Sequence, residues 1–97
     1  MEKKLNKALF LDRDGTINID YDFVHKIEEF DFIDGIFDLC KTAQDKNYKI
    51  IIVTNQSGIE RGIFTENYVN IFHDYMKNEF LKQGISITDI FVCPFKD

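Results

Sequence analysis

The chain has 97 residues, 44% of them hydrophobic and 30% charged, with a net charge of −5; a chain of this length buries about 60–68% of its unfolded surface, room for one core and not two. The acidic balance argues against a nucleic-acid partner, which needs a basic surface. Two cysteines without paired spacing exclude a disulfide framework and suit a reducing cytoplasm, and the apolar run 8–11 is too short for a signal peptide or a membrane span.

Residues 7–12 read as a buried strand, apolar without alternation up to Asp12. Residues 13–32 show no sustained period and read as an excursion that includes a small hairpin. Residues 34–47 read as a helix, with Asp34 as its cap and Ile36, Leu39, Cys40 and Ala43 at helical spacing. Residues 49–54 (KIIIVT) form a second buried strand, rich in β-branched residues. A loop follows over 55–64, with Gly58 and Gly62. Thr65 then caps a long helix to about Gln83. Its stripe is Tyr68 or Val69, Phe72, Met76 and Phe80, and Gly84 is its stop. Residues 90–93 form a third strand, ending before Pro94.

Strand, helix, strand, helix, strand at these lengths predicts two right-handed crossovers and a parallel sheet. Ligands gather at the carboxyl ends of such strands. Asp12 and Thr54 both fall there.

The stretch ALFLDRDGTIN, from Ala8, drives two carboxylates past one strand end. Alone, an Asp-x-Asp pair caps helices, ends strands or lies in solvent. Its context here is a buried strand before it, Gly-Thr after it, and Thr-Asn beyond a second buried strand. Two such carboxylates suit linked roles, one attacking and one exchanging a proton with the leaving group and then with water. A Mg²⁺ ion, which takes few protein carboxylates and fills its shell with water and phosphate oxygens, would relieve their repulsion. Gly15 allows a sharp turn beside a ligand. Thr54, Asn55, Gln56 and Ser57 offer neutral donors and acceptors, and Arg61 a planar fork for a second anion.

Asp12-Arg13-Asp14-Gly15-Thr16 resembles the first motif of the haloacid dehalogenase-like phosphohydrolases, and Thr54 after IIIV resembles their second. FLDRDGTIN, FVHKIEEFDFIDG, VTNQSGIERGIFTE and CP are similar to the branch that holds the histidinol-phosphate and heptose-bisphosphate phosphatases. SGIERG and FVH fit the heptose enzymes better. The resemblance runs from about Ala8 to Pro94. It implies an α/β, parallel-sheet, Rossmann-like domain over residues 1–97, truncated after the third strand. It also implies Mg²⁺-dependent hydrolysis of a sugar phosphate through an aspartyl-phosphate, removing the 7-phosphate of a heptose bisphosphate in surface-heptose precursor synthesis.

Residue by residue, the resemblance implies that Asp12 is the nucleophile and Asp14 the general acid and base. The Asp12 side chain and the Asp14 carbonyl would bind Mg²⁺. Thr54 and Asn55 would hold the phosphoryl group. Arg13, Asp20, Tyr21, Asp22, Phe23, Gln56, Ser57 and Arg61 would face the substrate. His25, in the same excursion, is expected to border it. The family's third and fourth motifs, a basic residue and a metal-binding Asp, have no counterpart here. The full-length enzyme is expected to be a monomer acting on a small molecule, without nucleic acid or membrane. The shorter chain is expected to expose the first strand as a sheet edge and to self-associate there. Many members hold zinc through Cys-x-His and Cys-x-Cys; Cys93-Pro94-Phe95 supplies one ligand of four, so no zinc is expected.

Cys40 reads as core, and Cys93 is expected to be buried at its strand end. His73 reads as a partly packed helix residue. Phe30, Phe32 and Phe37 read as core, and 28–31 as a solvated acidic face. Three other readings compete. One is histidinol phosphate as substrate. Another is a non-catalytic domain that pairs through the open edge. The third, a glycosyltransferase using Asp-x-Asp, accounts for neither Gly-Thr nor VTNQSG.

Overall fold

The computed structural model describes residues 7–21, 23 and 26–93. Among these residues, three strands, β1 (Lys7–Leu11), β2 (Tyr48–Asn55) and β3 (Ile87–Cys93), alternate with two helices, α1 (Ile36–Asp45) and α2 (Glu66–Lys82). A single 3-10 turn, Ile27–Glu29, interrupts the first connection. The strands pair in parallel in the order β1-β2-β3, with Leu11 opposite Ile52 and Asn55 opposite Cys93. The parallel α/β architecture expected from the sequence is therefore present, and β1 lies at one edge among the described residues. Here β2 runs three residues past its last pairing with β1, so Thr54 and Asn55 extend beyond the point where β1 ends at Leu11.

Two successive right-handed crossovers that advance in one direction put both helices on one face of the sheet. Ile36 and Cys40 of α1, Phe72, Met76 and Phe80 of α2, and Leu11, Ile50, Ile52 and Ile87 of the sheet accordingly share one core. Aromatic rings weld the helices together: Phe37 lies 5.1 Å from Phe80, and Phe30 lies 4.8 Å from Phe72 and 4.5 Å from Phe32. The strands are thus buried on one face, not two. In β2, Ile50, Ile52 and Thr54 are buried while Val53 is exposed. On the other face Phe10 is 63% and Phe91 54% exposed.

Other expectations change locally. At the start of α1, Gly35 at φ 87° is the N-cap and no side chain caps the helix, so Asp34 does not. The left-handed glycine turns the chain, and its carbonyl accepts from the Leu39 amide at 2.9 Å. Leu39 lies 49% exposed beside the stripe of Ile36 and Cys40. Strand β3 starts at Ile87 because a register shift opposite Ile50 and Ile51 exposes Thr88 and Asp89 in succession, which breaks the alternation readable in sequence. Among the described residues, the 13–32 excursion makes isolated bridges, Asp14 to Asn18 and Asn18 to Phe32, and no laddered hairpin. Thr65 does cap α2, its Oγ1 accepting from the Tyr68 amide at 3.3 Å. Cys40 is buried, and burial pushes its thiol up to about 11. Cys93 is exposed, against expectation: the outer face of β3 has no covering layer among the described residues.

Candidate active site

The first strand stops at Leu11, and the chain folds at once into a tight turn. The Arg13 carbonyl accepts from the amides of Thr16, Ile17 and Asn18 at 3.2, 2.8 and 3.2 Å. Gly15 sits at φ 87°, its amide donating to the Asn18 carbonyl at 2.7 Å. An L side chain rarely adopts that conformation, so the backbone here favours a glycine at position 15. Asp12 is left exposed at the strand end, and Asp14 is half-buried over the turn.

Asp14 is gripped from three directions. Its Oδ1 accepts from Arg13 Nε at 3.2 Å, Arg13 Nη2 at 3.0 Å and Asn18 Nδ2 at 2.9 Å. Its Oδ2 accepts from Arg13 Nη2 at 3.0 Å and Gln56 Nε2 at 3.1 Å. The Gln56 amide also donates to Thr54 Oγ1 at 2.7 Å. That oxygen therefore acts as acceptor, which keeps the Thr54 hydroxyl proton to donate. The Gln56 backbone amide donates to the Cys93 carbonyl at 2.7 Å and pins the loop to β3. Carboxylates fixed by several charge-assisted and amide donors are held far more firmly than a surface Asp.

A cleft of ≈ 220 Å³ opens here, lined by Asp14, Asp20, Phe23, Asn55, Gln56 and Ser57. All six stand among the residues singled out in the sequence. Asp12 and Thr54 lie beside this cleft in the chain but do not line it. Phe23 holds φ 52°, a left-handed conformation unusual for an aromatic residue. The Arg61 guanidinium stacks over its ring at 5.6 Å, which brings Arg61 to the rim. Tyr21 is turned aside, its hydroxyl donating to Asp31 Oδ2 at 2.6 Å, and that bond raises the phenol's pKa. Asp22 and His25 lie outside the described residues. Two larger hollows, ≈ 570 and ≈ 460 Å³, flank the exposed side of α2 around Tyr68 and bring together none of these groups.

Arg13 is placed differently from expectation. Its side chain is 1% exposed, packed 4.7 Å over the Phe72 ring and hydrogen-bonded at Nη1 to His73 Nε2 at 3.1 Å. It stands behind Asp14 instead of facing the cleft. Burial lowers its pKa, and the Asp14 carboxylate opposes that shift. His73, 5% exposed, is far better buried than a partly packed helix residue. Burial and the neighbouring Arg13 lower its pKa to about 4. Asn18, fully buried with Oδ1 lacking a partner among the described residues, is a second site neighbour not singled out beforehand. The signal for His73 was its spacing: 69, 72, 73, 76 and 80 complete the buried stripe of α2.

Asp12, Asp14 and Thr54 bring oxygen donors to this strand end, the donor type that suits a hard cation keeping several waters. Among the described residues, no three His, Cys, Asp or Glu side chains converge on a metal-sized site. Also among them, no helix is long and apolar enough to cross a membrane.

No protein-family model matches the chain. Single proteins do. The chain is 56% identical over 88 residues to the D-glycero-α-D-manno-heptose-1,7-bisphosphate 7-phosphatase of Campylobacter jejuni, covering 91% of this chain and 51% of that protein. It is 44% identical over 90 residues to the D-glycero-β-D-manno-heptose-1,7-bisphosphate 7-phosphatase of Haemophilus influenzae, covering 93% and 49%. Among solved structures, the D,D-heptose 1,7-bisphosphate phosphatase of B. bronchiseptica, complexed with magnesium and phosphate, superposes with a TM-score of 0.87 at 33% identity, over 93% of this chain and 51% of that one. The fold and these similarities define the class: this is the parallel α/β fold of the haloacid dehalogenase-like phosphatases. Within that class the chain is homologous to the D-glycero-D-manno-heptose-1,7-bisphosphate 7-phosphatases, and it spans about half the length of the curated relatives it matches.

Proposed function

We propose that the chain carries the nucleophile-bearing half of a Mg²⁺-dependent phosphomonoester hydrolase. Its substrate in this reading is D-glycero-D-manno-heptose 1,7-bisphosphate, from which it removes the 7-phosphate on the way to surface-heptose precursors. The observation that carries the reading is the placement of Asp14. It is held by Arg13, Asn18 and Gln56 at the wall of the polar cleft, two residues beyond the exposed Asp12.

The Asp12 carboxylate attacks phosphorus, and the bond to the sugar oxygen breaks. Asp14, which enters the cycle as the protonated acid, gives that oxygen its proton. Asp14 then takes a proton from water as the water attacks the aspartyl-phosphate, so phosphate leaves and both carboxylates return to their starting state. Thr54 and Asn55 donate to the phosphoryl oxygens, while Asp20, Phe23, Ser57 and Arg61 contact the sugar and its remaining phosphate. The Asp12 side chain and Asp14 carbonyl would hold Mg²⁺, which supplies charge neutralisation for the transferring group. Such catalysis is chiefly positioning and electrostatic stabilisation.

The test has two arms. Phosphate release is followed with both anomers of the heptose bisphosphate and with histidinol phosphate, the competing substrate. Turnover of the heptose compound that Asp12→Asn abolishes without unfolding the chain is the expected result; full turnover in that variant removes Asp12 as nucleophile. In parallel, ¹⁹F NMR with Mg²⁺ and beryllofluoride, an aspartyl-phosphate mimic, should show a bound signal that Asp12→Asn loses.

A further inference from the structure

We infer that His73, reaching across from α2, is a positioning residue for Asp14: it accepts a hydrogen bond from Arg13 and so sets the guanidinium that grips the carboxylate. The inference rests on the reading of Asp14 as the acid and base.

Arg13 and Asp14 are consecutive, and an adjacent pair has little reason to hold one geometry when the arginine is free to swing. Here the arginine is not free. Phe72 lies under the guanidinium plane at 4.7 Å, and His73 Nε2 stops its far end at Nη1, 3.1 Å away. The two remaining edges, Nε and Nη2, then point at the two Asp14 oxygens, at 3.2 and 3.0 Å. Two consecutive residues of α2 thus fix the plane and the end of a side chain that leaves the β1 turn. Arginine has no acceptor, so the hydrogen bond requires His73 Nε2 without its proton, the Nδ1–H tautomer of a neutral ring. The depressed pKa of His73, from burial first, is consistent with that ring. An apolar residue at 73 would leave a buried guanidinium N–H without an acceptor, a costly state from which the side chain escapes by moving.

The experiment compares the chain with His73→Leu, which keeps bulk without an acceptor, and His73→Gln, whose amide oxygen can accept. ¹⁵N NMR should show His73 Nε2 unprotonated and the Arg13 guanidinium protons sharp and slowly exchanging. His73→Leu should broaden the Arg13 signals and shift the Asp14 carboxyl ¹³C signal while the α2 amides hold their positions; His73→Gln should restore both. A protonated Nε2 in the parent chain, or Arg13 and Asp14 signals unmoved in His73→Leu, overturns the inference. These spectra need no turnover, so they decide the linkage even if the phosphatase reading fails. With turnover present, kcat falls about 10²-fold in His73→Leu, KM holds, and His73→Gln recovers most of the loss; an unchanged kcat also overturns the inference.

Discussion

Asp14 is a candidate site residue whose neighbours could be only half read in advance. The Asp pair, Gly15, Thr54 and Gln56 were legible because each carries a local reason: a strand end, a forced backbone turn, a hydroxyl or an amide at a second strand end. His73 and Asn18 were not, because their roles depend on which element lies behind Arg13, a tertiary fact. Burial of His73 makes a prediction with a definite sign. Its pKa is about 4 in the fold and 6.5 when free, so the unfolded chain binds the extra proton between those values. Stability is therefore full above pH 6.5 and falls as pH drops toward 4, by up to roughly 3 kcal/mol. Urea unfolding of the chain and of His73→Gln at pH 7 and pH 4.5 measures this, the variant losing less. Gly58 gives a second prediction. A Cβ there would run into the Phe64 ring, so Gly58→Ala should displace the 58–64 loop and cost about 1–3 kcal/mol as an overpacked site, read by the same unfolding curves.

Among the elements, α2 does two jobs: it closes the core and supplies the backing of Arg13. Its start depends on Thr65, so Thr65→Ala should cost about 1 kcal/mol and raise hydrogen exchange at the Tyr68 amide, the one that Thr65 Oγ1 receives. A helix that loosens there without loss of stability would count against the cap. Caps, stripes and strand cores were readable where one local rule acted alone, as in α2 and β2. They misled where a second rule competed. Gly35 outbid Asp34 at the start of α1 by turning the backbone itself, and the shift at Thr88 hid the beginning of β3. The excursion after the first motif resisted reading because its order comes from single bridges to Phe32 and the Tyr21–Asp31 bond, which leave no periodic trace.

At the scale of the molecule, the sheet is covered on one face only among the described residues. Among the described residues, Phe10, Val53 and Phe91 are exposed opposite the helices, and no strand pairs with the outer edge of β1. Apolar faces and open edges of this kind associate. Sedimentation of the 97-residue chain should therefore show concentration-dependent assembly, weakened by Phe10→Lys; a strictly monomeric chain at high concentration would refute this. The topology that could be read in sequence explains the rest, since both crossovers advance in one direction. The Arg13 packing also bears on birth order. Proteins emerge from the ribosome N-terminus first, so β1 and both aspartates leave the tunnel long before Phe72 and His73. Until α2 follows, nothing backs the arginine. Asp14, made early in synthesis, is thus set in place only once a helix some 60 residues further along the chain has followed.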